Sequence, residues 1–558
     1  MKIRIDINVV SVAILFLLLL MPNIYAFFVA VDIQASLIAR FGYLAIVLAC
    51  LVLPTLFLNR RIYFIVEGIF SFLLMPIDIA SLYLNKQSAS KLFIHSILST
   101  NYVEAKELLW SVWPLCILVV LLWMLYFYMA FRLDNRNFCW RKNYRFILSV
   151  VVFVFLLMLG SMYIISKKIT PNRTESQILA LTMKNFSLKF KKIYPFNIYI
   201  LGNELVQENL NSKEYAKELE NFSFGIEQRD NNDSTLVVLF IGDAARYDHF
   251  GINGYERNTT PYLSVMSNIV SFDSIYTQAN LTAYSVPHIL TRIPIERLDA
   301  LYKEKSVLEA FSEAGYSTAF ISNNLYDLFV RRIMDASDYD YFFSKGMDAI
   351  NNYDIEFVDK LIQISKSESQ FVILHSLGSH FRYDLRYPIE DEFYKPAFSN
   401  SFGYDQINED NRQLLVNAYD NSIRYTDKVL YNLIFWADSL NREVVVMYLS
   451  DHGESFWDDE RGLSLHGAYE LSEAEYHIPL IIWYSDEYRE KHNDKIENLI
   501  ANKNKTQTTE VVFSTLLDMV GIEEVVDSTR SLCSSYLESR DSFYVLNGLG
   551  EIDNYVVR

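Results

Sequence analysis

The sequence predicts a helical membrane region followed by an α/β domain whose parallel sheet is covered by helices. Apolar runs long enough to cross a bilayer are concentrated in the first third of the 558 residues. After about residue 166, short apolar runs alternate with helical patterns. Such alternation is typical of a sheet that is buried on both faces.

Five segments of the first third are candidates for membrane spans, because a bilayer core requires about 20 mostly apolar residues per helix. They lie approximately at 10–32, 41–58, 62–84, 109–131 and 146–165. Basic residues precede the first, third and fifth segments, which with five spans places those loops in the cytoplasm. The first segment is expected to be an uncleaved anchor. The chain beyond about residue 166 is then expected outside the cytoplasm.

Charge and cysteine content argue against a nucleic-acid-binding protein and against a domain held together by cysteines. The net charge of −17 argues against non-specific binding of nucleic acid. Of the four cysteines, only Cys533 lies in the polar remainder of the chain. A disulfide framework and a zinc site built from cysteines are therefore excluded there.

The outer region divides into a bridging segment and a larger α/β domain. We expect domain boundaries at 1–165, 166–234 and 235–558, with one or two helices in the middle segment. Buried strands are predicted at 236–241, 318–321, 371–374, 444–449, 480–483 and 543–546. Helical patterns such as 302–315 and 411–438 separate several of them.

Polar side chains follow two of these strands directly. Asp243 follows the first strand, and Asp451 with His452 follows the strand 444–449. Ligands gather at the carboxyl ends of strands in such sheets, and an Asp-His pair can bind a divalent metal. A capped strand end with a solvated Asp and a packed His is the alternative. His380 and His466 also follow strand ends closely, and this clustering favours a site.

Two hydroxyl groups, those of Thr282 and Ser285, are candidate nucleophiles. A hydroxyl is a weak nucleophile until a base or metal activates it. Without a metal, Thr282 would be only a helix-cap residue. In the loop 85–108, Ser96, Thr100 and Glu104 recur at helical spacing, which is also the pattern of a solvated helix face.

The motifs, taken in order, resemble the lipid A phosphoethanolamine transferase family of the alkaline phosphatase and sulfatase superfamily. They are Gly242-Asp243-Ala244-Ala245-Arg246, Asn253 to Pro261, Thr282-Ala283-Tyr284-Ser285-Val286-Pro287, His375 to His380, Tyr419-Asp420-Asn421 with Tyr425-Thr426-Asp427, Ser450-Asp451-His452-Gly453-Glu454-Ser455 and Leu465-His466-Gly467.

The resemblance implies a five-span anchor in the bacterial inner membrane and a periplasmic α/β/α sandwich of the alkaline phosphatase and sulfatase type. It implies that Thr282 accepts phosphoethanolamine from phosphatidylethanolamine and passes it to lipid A or another envelope glycan. Polymyxin resistance would follow only if lipid A is modified. It also implies zinc ligands, which would be Asp243, Thr282, Asp451 and His452.

Further residues gain a role only through the resemblance. His380 and His466 would bind the phosphoethanolamine group or a second zinc ion. Ser96, Thr100 and Glu104 match a family position near the active site. Ser285 matches no nucleophile position.

The chain departs from the family and the superfamily at several positions. The family usually has Glu where this chain has Asp243, so the backbone must come closer to the metal. Gln278 and His288 occupy a neighbourhood where the family has a disulfide. Arg292 and Val286 replace residues of the sulfatase motif, which argues against hydrolysis of sulfate esters. A phosphoglycerol transferase or phosphodiesterase, and a catalytically inactive envelope assembly module, are the alternative functions.

Overall fold

The computed structural model describes two compact units. The residues that the structure describes are 7–30, 37–56, 58–85, 113–133, 193–228, 234–324, 328–343, 353–366, 368–399, 406–548 and 550–557, with scattered positions between 88 and 191. The first unit, called the helical unit, comprises Met1–Ile94 and Val112–Asn209. The second, called the sheet unit, comprises His95–Ser111 and Leu210–Arg558.

The described residues of the first four predicted segments form helices, as expected. Their bounds are α1 Ile7–Leu19, α2 Met21–Val29, α3 Leu37–Val52, α4 Arg60–Asn85 and α5 Trp113–Arg132, followed by α6 Phe196–Glu220. Apolar side chains of α1, α3, α4 and α5, including Leu15, Val47, Phe64 and Tyr126, are buried together. The Tyr126 hydroxyl donates a hydrogen bond to the Phe64 carbonyl over 2.9 Å. This bond joins α4 to α5 within an otherwise apolar core.

The number of spans stays a prediction. Among the described residues, Arg60–Tyr83 is long and apolar enough to cross a membrane, and Val10–Leu19 with Met21–Val29 would form a second span bent by 49°. Shorter apolar helices cover Leu44–Thr55 and Cys116–Arg132. Most of the predicted segment 146–165 lies outside the described residues. Ser96, Thr100 and Glu104 lie outside them as well.

The sheet unit is built on an eight-stranded sheet with the order β10-β2-β9-β6-β1-β5-β3-β4. The strands are β1 Leu236–Gly242, β2 Ile269–Tyr276, β3 Ser317–Ser322, β4 Tyr339–Phe342, β5 Gln370–His375, β6 Val444–Ser450, β9 His477–Tyr484 and β10 Gln507–Thr508. Only β9 among them runs antiparallel to its neighbours. The predicted parallel sheet is therefore confirmed, with one reversed strand.

Helices cover both faces of this sheet. They are α7 Thr282–Ile289, α8 Val307–Glu313, α9 Leu328–Asp335, α10 Glu356–Ile364, α11 Arg412–Asp438, α12 Glu473–Tyr476, α13 Asp486–Lys491, α14 Asn493–Asn502 and α15 Val511–Met519. Side chains of β1 alternate between the two faces. Val237, Leu239 and Ile241 pack with residues of α8, α9 and α15, whereas Val238 and Phe240 pack with those of α10 and α11. Three layers with two cores result.

One predicted strand is placed differently. The run 543–546 forms β11, Ser542–Leu546, which pairs with β12, Ile552–Val556, outside the main sheet. Its alternate residues are exposed, because only one face of this two-stranded sheet packs against the unit. The remaining pair, β7 Ser455–Phe456 and β8 Ser464–Leu465, is short and antiparallel.

Candidate active site

The site residues lie at one edge of the sheet because β6, β1 and β5 are neighbouring parallel strands. Gly242 at the end of β1 is in register with Ser450 of β6. Asp243 and Asp451 therefore leave adjacent strands at the same level. Thr282 is the first residue of α7, and the fold brings this helix to the same edge.

Four of the predicted residues come together there. Asp243, Asp451 and His452 are buried, and each offers one ligand atom within 4.8 Å of the others. The His452 Nε2 atom lies 3.5 Å from Asp451 Oδ2 and 3.9 Å from Asp243 Oδ1. The half-buried Thr282 places Oγ1 at 3.2 Å from the same nitrogen. The hydroxyl and the acidic cluster thus form one constellation.

The donor set fits a divalent metal such as zinc. His452 Nδ1 donates to the Gly453 carbonyl over 2.9 Å, so Nε2 keeps its lone pair for a ligand. Asp243 Oδ1 is buried and has no hydrogen-bond partner among the described residues. Asp451 Oδ1 accepts from the backbone N–H groups of Ala244 and His452, which fixes the carboxylate. Imidazole nitrogen and carboxylate oxygen are ordinary zinc ligands.

Electrostatics also favour a cation at this position. Burial, together with the neighbouring Asp451 carboxylate, raises the pKa of Asp243 well above its ordinary value. Two carboxylates that share a site away from water repel each other when both are ionised. A bound cation would offset that repulsion.

The backbone around Asp243 approaches its neighbours closely. Asn324 Nδ2 donates to Asp243 Oδ2 over 2.6 Å, and the Ser379 N–H donates to the Asp243 carbonyl over 2.8 Å. Gly378 has φ +47°, and a Cβ atom there would lie 2.7 Å from the Asp243 nitrogen. Only glycine fits so close an approach of two backbone segments.

A second group of side chains lies beside the first. The rings of His452 and His466 are 4.1 Å apart between centroids, and His466 Nδ1 lies 3.1 Å from Glu454 Oε1. Burial, with the nearby His380, lowers the pKa of His466 to about 4. The Nδ1 atom of His380 donates to the Phe381 carbonyl over 3.3 Å.

Sequence reasoning did not single out Glu454 as a site residue. Its side chain is fully buried, and burial raises its pKa to about 8. The one available signal was its position two residues after His452. Ser285, the second hydroxyl candidate, is buried and lies 3.4 Å from Asp451 Oδ2.

Hydrogen bonds tie the segment around α7 where the family resemblance leads one to expect a disulfide. Gln278 Oε1 accepts from the Ile295 N–H over 3.0 Å. His288 Nδ1 donates to the Ile293 carbonyl over 2.8 Å. The first of these hydrogen bonds joins the residues that precede α7 to those that follow it.

Comparison with known proteins decides the family. The sulfatase family model matches residues 235–522, which include Asp243, Thr282, Asp451 and His452. The chain belongs to the sulfatase family. The matched region begins just before β1 and reaches past α15, so it contains the entire eight-stranded sheet.

Curated proteins with sequence similarity to this sulfatase-family chain include phosphoethanolamine transferases. The Kdo(2)-lipid A phosphoethanolamine 7''-transferase of Escherichia coli K12 is 31% identical over 279 residues, which cover 48% of this chain and 47% of that protein. Phosphatidylethanolamine transferase Mcr-1 of Escherichia coli is 29% identical, covering 43% and 46%. The chain thus spans about half the length of the curated relatives it matches.

Solved structures show the same fold over a longer stretch. The integral membrane protein lipooligosaccharide phosphoethanolamine transferase A of Neisseria meningitidis matches with a TM-score of 0.70 at 20% identity, covering 93% of this chain and 98% of that one. The periplasmic domain of Escherichia coli EptC, solved in complex with zinc, matches with a TM-score of 0.52 at 21% identity, covering 60% and 95%. Both the helical and the sulfatase-type parts of the chain therefore share a known fold.

Proposed function

We propose that the protein transfers phosphoethanolamine from phosphatidylethanolamine, through a phosphorylated Thr282, to lipid A or another envelope glycan. The observation that carries this proposal is the Thr282 hydroxyl, 3.2 Å from His452 Nε2 at the edge of a buried carboxylate and imidazole cluster. The names of the curated relatives support phosphoethanolamine as the transferred group and lipid A as an acceptor.

Asp243, Thr282, Asp451 and His452 would together hold one zinc ion. A zinc ion bound there would act as a Lewis acid towards the Thr282 oxygen and the phosphoryl group. The protein contributes the preset orientation of its ligands. Backbone N–H groups hold Asp451, the Gly453 carbonyl orients His452, and Asn324 orients Asp243.

Transfer proceeds in two displacements at phosphorus. The Thr282 oxygen attacks the phosphorus of phosphatidylethanolamine, the bond to the diacylglycerol oxygen breaks, and diacylglycerol leaves with the proton that Thr282 lost. An oxygen of the acceptor then attacks the same phosphorus, and the Thr282 oxygen leaves and regains a proton. Because α7 begins at Thr282, the positive end of its helix dipole favours the phosphate carried there.

The second group of side chains would bind the phosphoethanolamine group or a second zinc ion. His380 and His466 fill this role, as the family resemblance implies, and the buried Glu454 beside His466 joins them. A carboxylate next to the site offers a partner for either the ethanolamine ammonium or a metal. Ser96, Thr100 and Glu104 are proposed to contact the same substrate.

The substrates explain the proposed location. A donor and an acceptor that are both lipids require an enzyme that is held at the membrane. We propose that five spans anchor the chain in the bacterial inner membrane and that the sheet unit faces the periplasm. The zinc-dependent chemistry then takes place where lipid A is exposed.

Replacing Thr282 by Ala tests the proposal. The full-length protein with Thr282→Ala should transfer no label from phosphatidylethanolamine, whereas Thr282→Ser should retain transfer because it keeps a hydroxyl. Mass spectrometry of the intermediate on the wild-type protein should find phosphoethanolamine on Thr282, and lipid A mass spectra with and without the protein identify the acceptor. Transfer by the alanine variant would refute the role of Thr282. Phosphoglycerol on that residue would instead establish a phosphoglycerol transferase.

A further inference from the structure

A fully buried carboxylate, that of Glu475, lies at the centre of the loops around the site. It belongs to the short helix α12, Glu473–Tyr476, and its side chain is 0% exposed. Oε2 accepts from Asn280 Nδ2 over 2.7 Å and from the N–H groups of Gly467 and Ala468 over 3.1 and 3.3 Å. Oε1 accepts from the Ser455 hydroxyl over 2.9 Å and from Arg461 over 2.7 Å. The carboxylate thus accepts five hydrogen bonds.

The partners of Glu475 belong to three different segments of the site. Asn280 stands two residues before Thr282, and Gly467 directly follows His466. The Gly453 N–H, directly after His452, donates to the backbone carbonyl of Glu475 over 2.8 Å. One residue therefore connects the segments that carry Thr282, His452 and His466, although it lies outside all of them in sequence.

Only a carboxylate can satisfy this set of donors. Both oxygens face N–H or O–H donors, and an ionised carboxylate has no donor of its own. Arg461, whose side chain is 8% exposed, supplies a neighbouring positive charge. In a glutamine one oxygen is replaced by an N–H₂ group, which would face either Arg461 or the backbone N–H groups of 467 and 468. The isosteric change from Glu to Gln should therefore disturb at least one of the three segments.

We propose that Glu475 is a positioning residue for the reaction, which holds Thr282, His452 and His466 in their relative places without touching the substrate. The inference rests on the proposed function where it concerns transfer. Its predictions for metal binding and backbone order depend only on the geometry of the loops, so they can be measured without any substrate.

The test compares Glu475→Gln with Asp427→Asn in the full-length protein. Asp427 is also a fully buried carboxylate, and it accepts from the N–H groups of Tyr262 and Leu263 over 3.0 and 2.9 Å, away from the three segments. Loading with Co²⁺ makes the metal environment visible in the absorption spectrum. For Glu475→Gln we expect about 10- to 100-fold weaker Co²⁺ binding and a changed spectrum, the range typical when a group that keeps metal ligands in place is replaced. The turnover number should fall by a similar factor with little change in KM.

Hydrogen exchange gives a readout that is independent of metal and substrate. In Glu475→Gln, peptides around Asn280, Ser455 and Gly467 should exchange faster than in the wild type, because these segments donate to the side-chain carboxylate. In Asp427→Asn, faster exchange should be confined to peptides around Tyr262, with the wild-type spectrum and turnover. Unchanged exchange and spectrum in Glu475→Gln, or equal losses in both variants that follow their unfolding temperatures, would overturn the inference. A wild-type protein that transfers no phosphoethanolamine would refute the proposed function but leave the exchange experiment decisive for Glu475.

Discussion

Replacing Asn324 by Ala tests how far a neighbour of the proposed ligands sets the affinity for zinc. Asn324 is buried, and its Nδ2 donates to Asp243 Oδ2 over 2.6 Å and to the Ser376 carbonyl over 3.1 Å. A hydrogen bond to a charged group is worth about 1.5 to 3 kcal/mol. Because Asn324 orients a proposed metal ligand, its loss should weaken zinc binding about 10- to 100-fold.

The assay is a zinc titration of the full-length protein against a competing chelator. Asn502→Ala is the matched control, because buried Asn502 donates to the carbonyls of Leu532 and Ser534 over 2.9 and 2.8 Å at a distance in sequence and structure from the ligands. It should lower the unfolding temperature yet leave the zinc affinity at the wild-type value. Wild-type affinity in Asn324→Ala would refute the reasoning, and so would an equal loss in the control.

Two further substitutions test stability near the site. Burial lowers the pKa of His288 to about 4 from about 6.5 in an unfolded chain. The contribution of the neutral imidazole to stability is therefore present above pH 6.5 and is lost as the pH falls through 4. His288→Asn should flatten the decline of the unfolding temperature over that range, and an unchanged slope would contradict this. A Cβ atom at Gly453 would collide with the Ala474 carbonyl. Gly453→Ala should therefore lower the free energy of unfolding by about 1 to 3 kcal/mol and reduce the amount of bound zinc. Gly202 lies in open space on a helix, and Gly202→Ala should have neither effect.

The sheet was predictable where strands are buried on both faces. The runs that became β1, β5 and β6 contain consecutive apolar residues, and the bounds found differ from the predicted ones by at most one residue at either end. The strand β2, Ile269–Tyr276, was not predicted, because it carries Ser271, Asp273 and Ser274 and is buried only at some positions. Its place in the sheet comes from pairing with β9, which no local pattern reveals.

The same distinction applies to the site. Asp243, Asp451 and His452 follow strong strand patterns directly, so the topology of a parallel sheet is sufficient to bring them together. Asn324 and Glu475 have no such local signal. Asn324 lies 81 residues from Asp243 in sequence, and Glu475 lies 195 residues from Asn280. Residues that orient ligands from a distance become visible only when the chain is folded.

The Glu475 carboxylate and the disulfide that the family resemblance leads one to expect near Thr282 would stabilise the protein in different ways. A disulfide acts mainly by restricting the unfolded chain, so it contributes to stability without selecting which donors point where. The Glu475 carboxylate acts in the folded state, where five donors must converge on two buried oxygens. Because a partly satisfied buried network is costly, disorder in one of the segments of Asn280, Ser455 and Gly467 would also destabilise the other two. The geometry around Thr282 is therefore coupled to one buried charge pair, Glu475 with Arg461, rather than to a covalent bond.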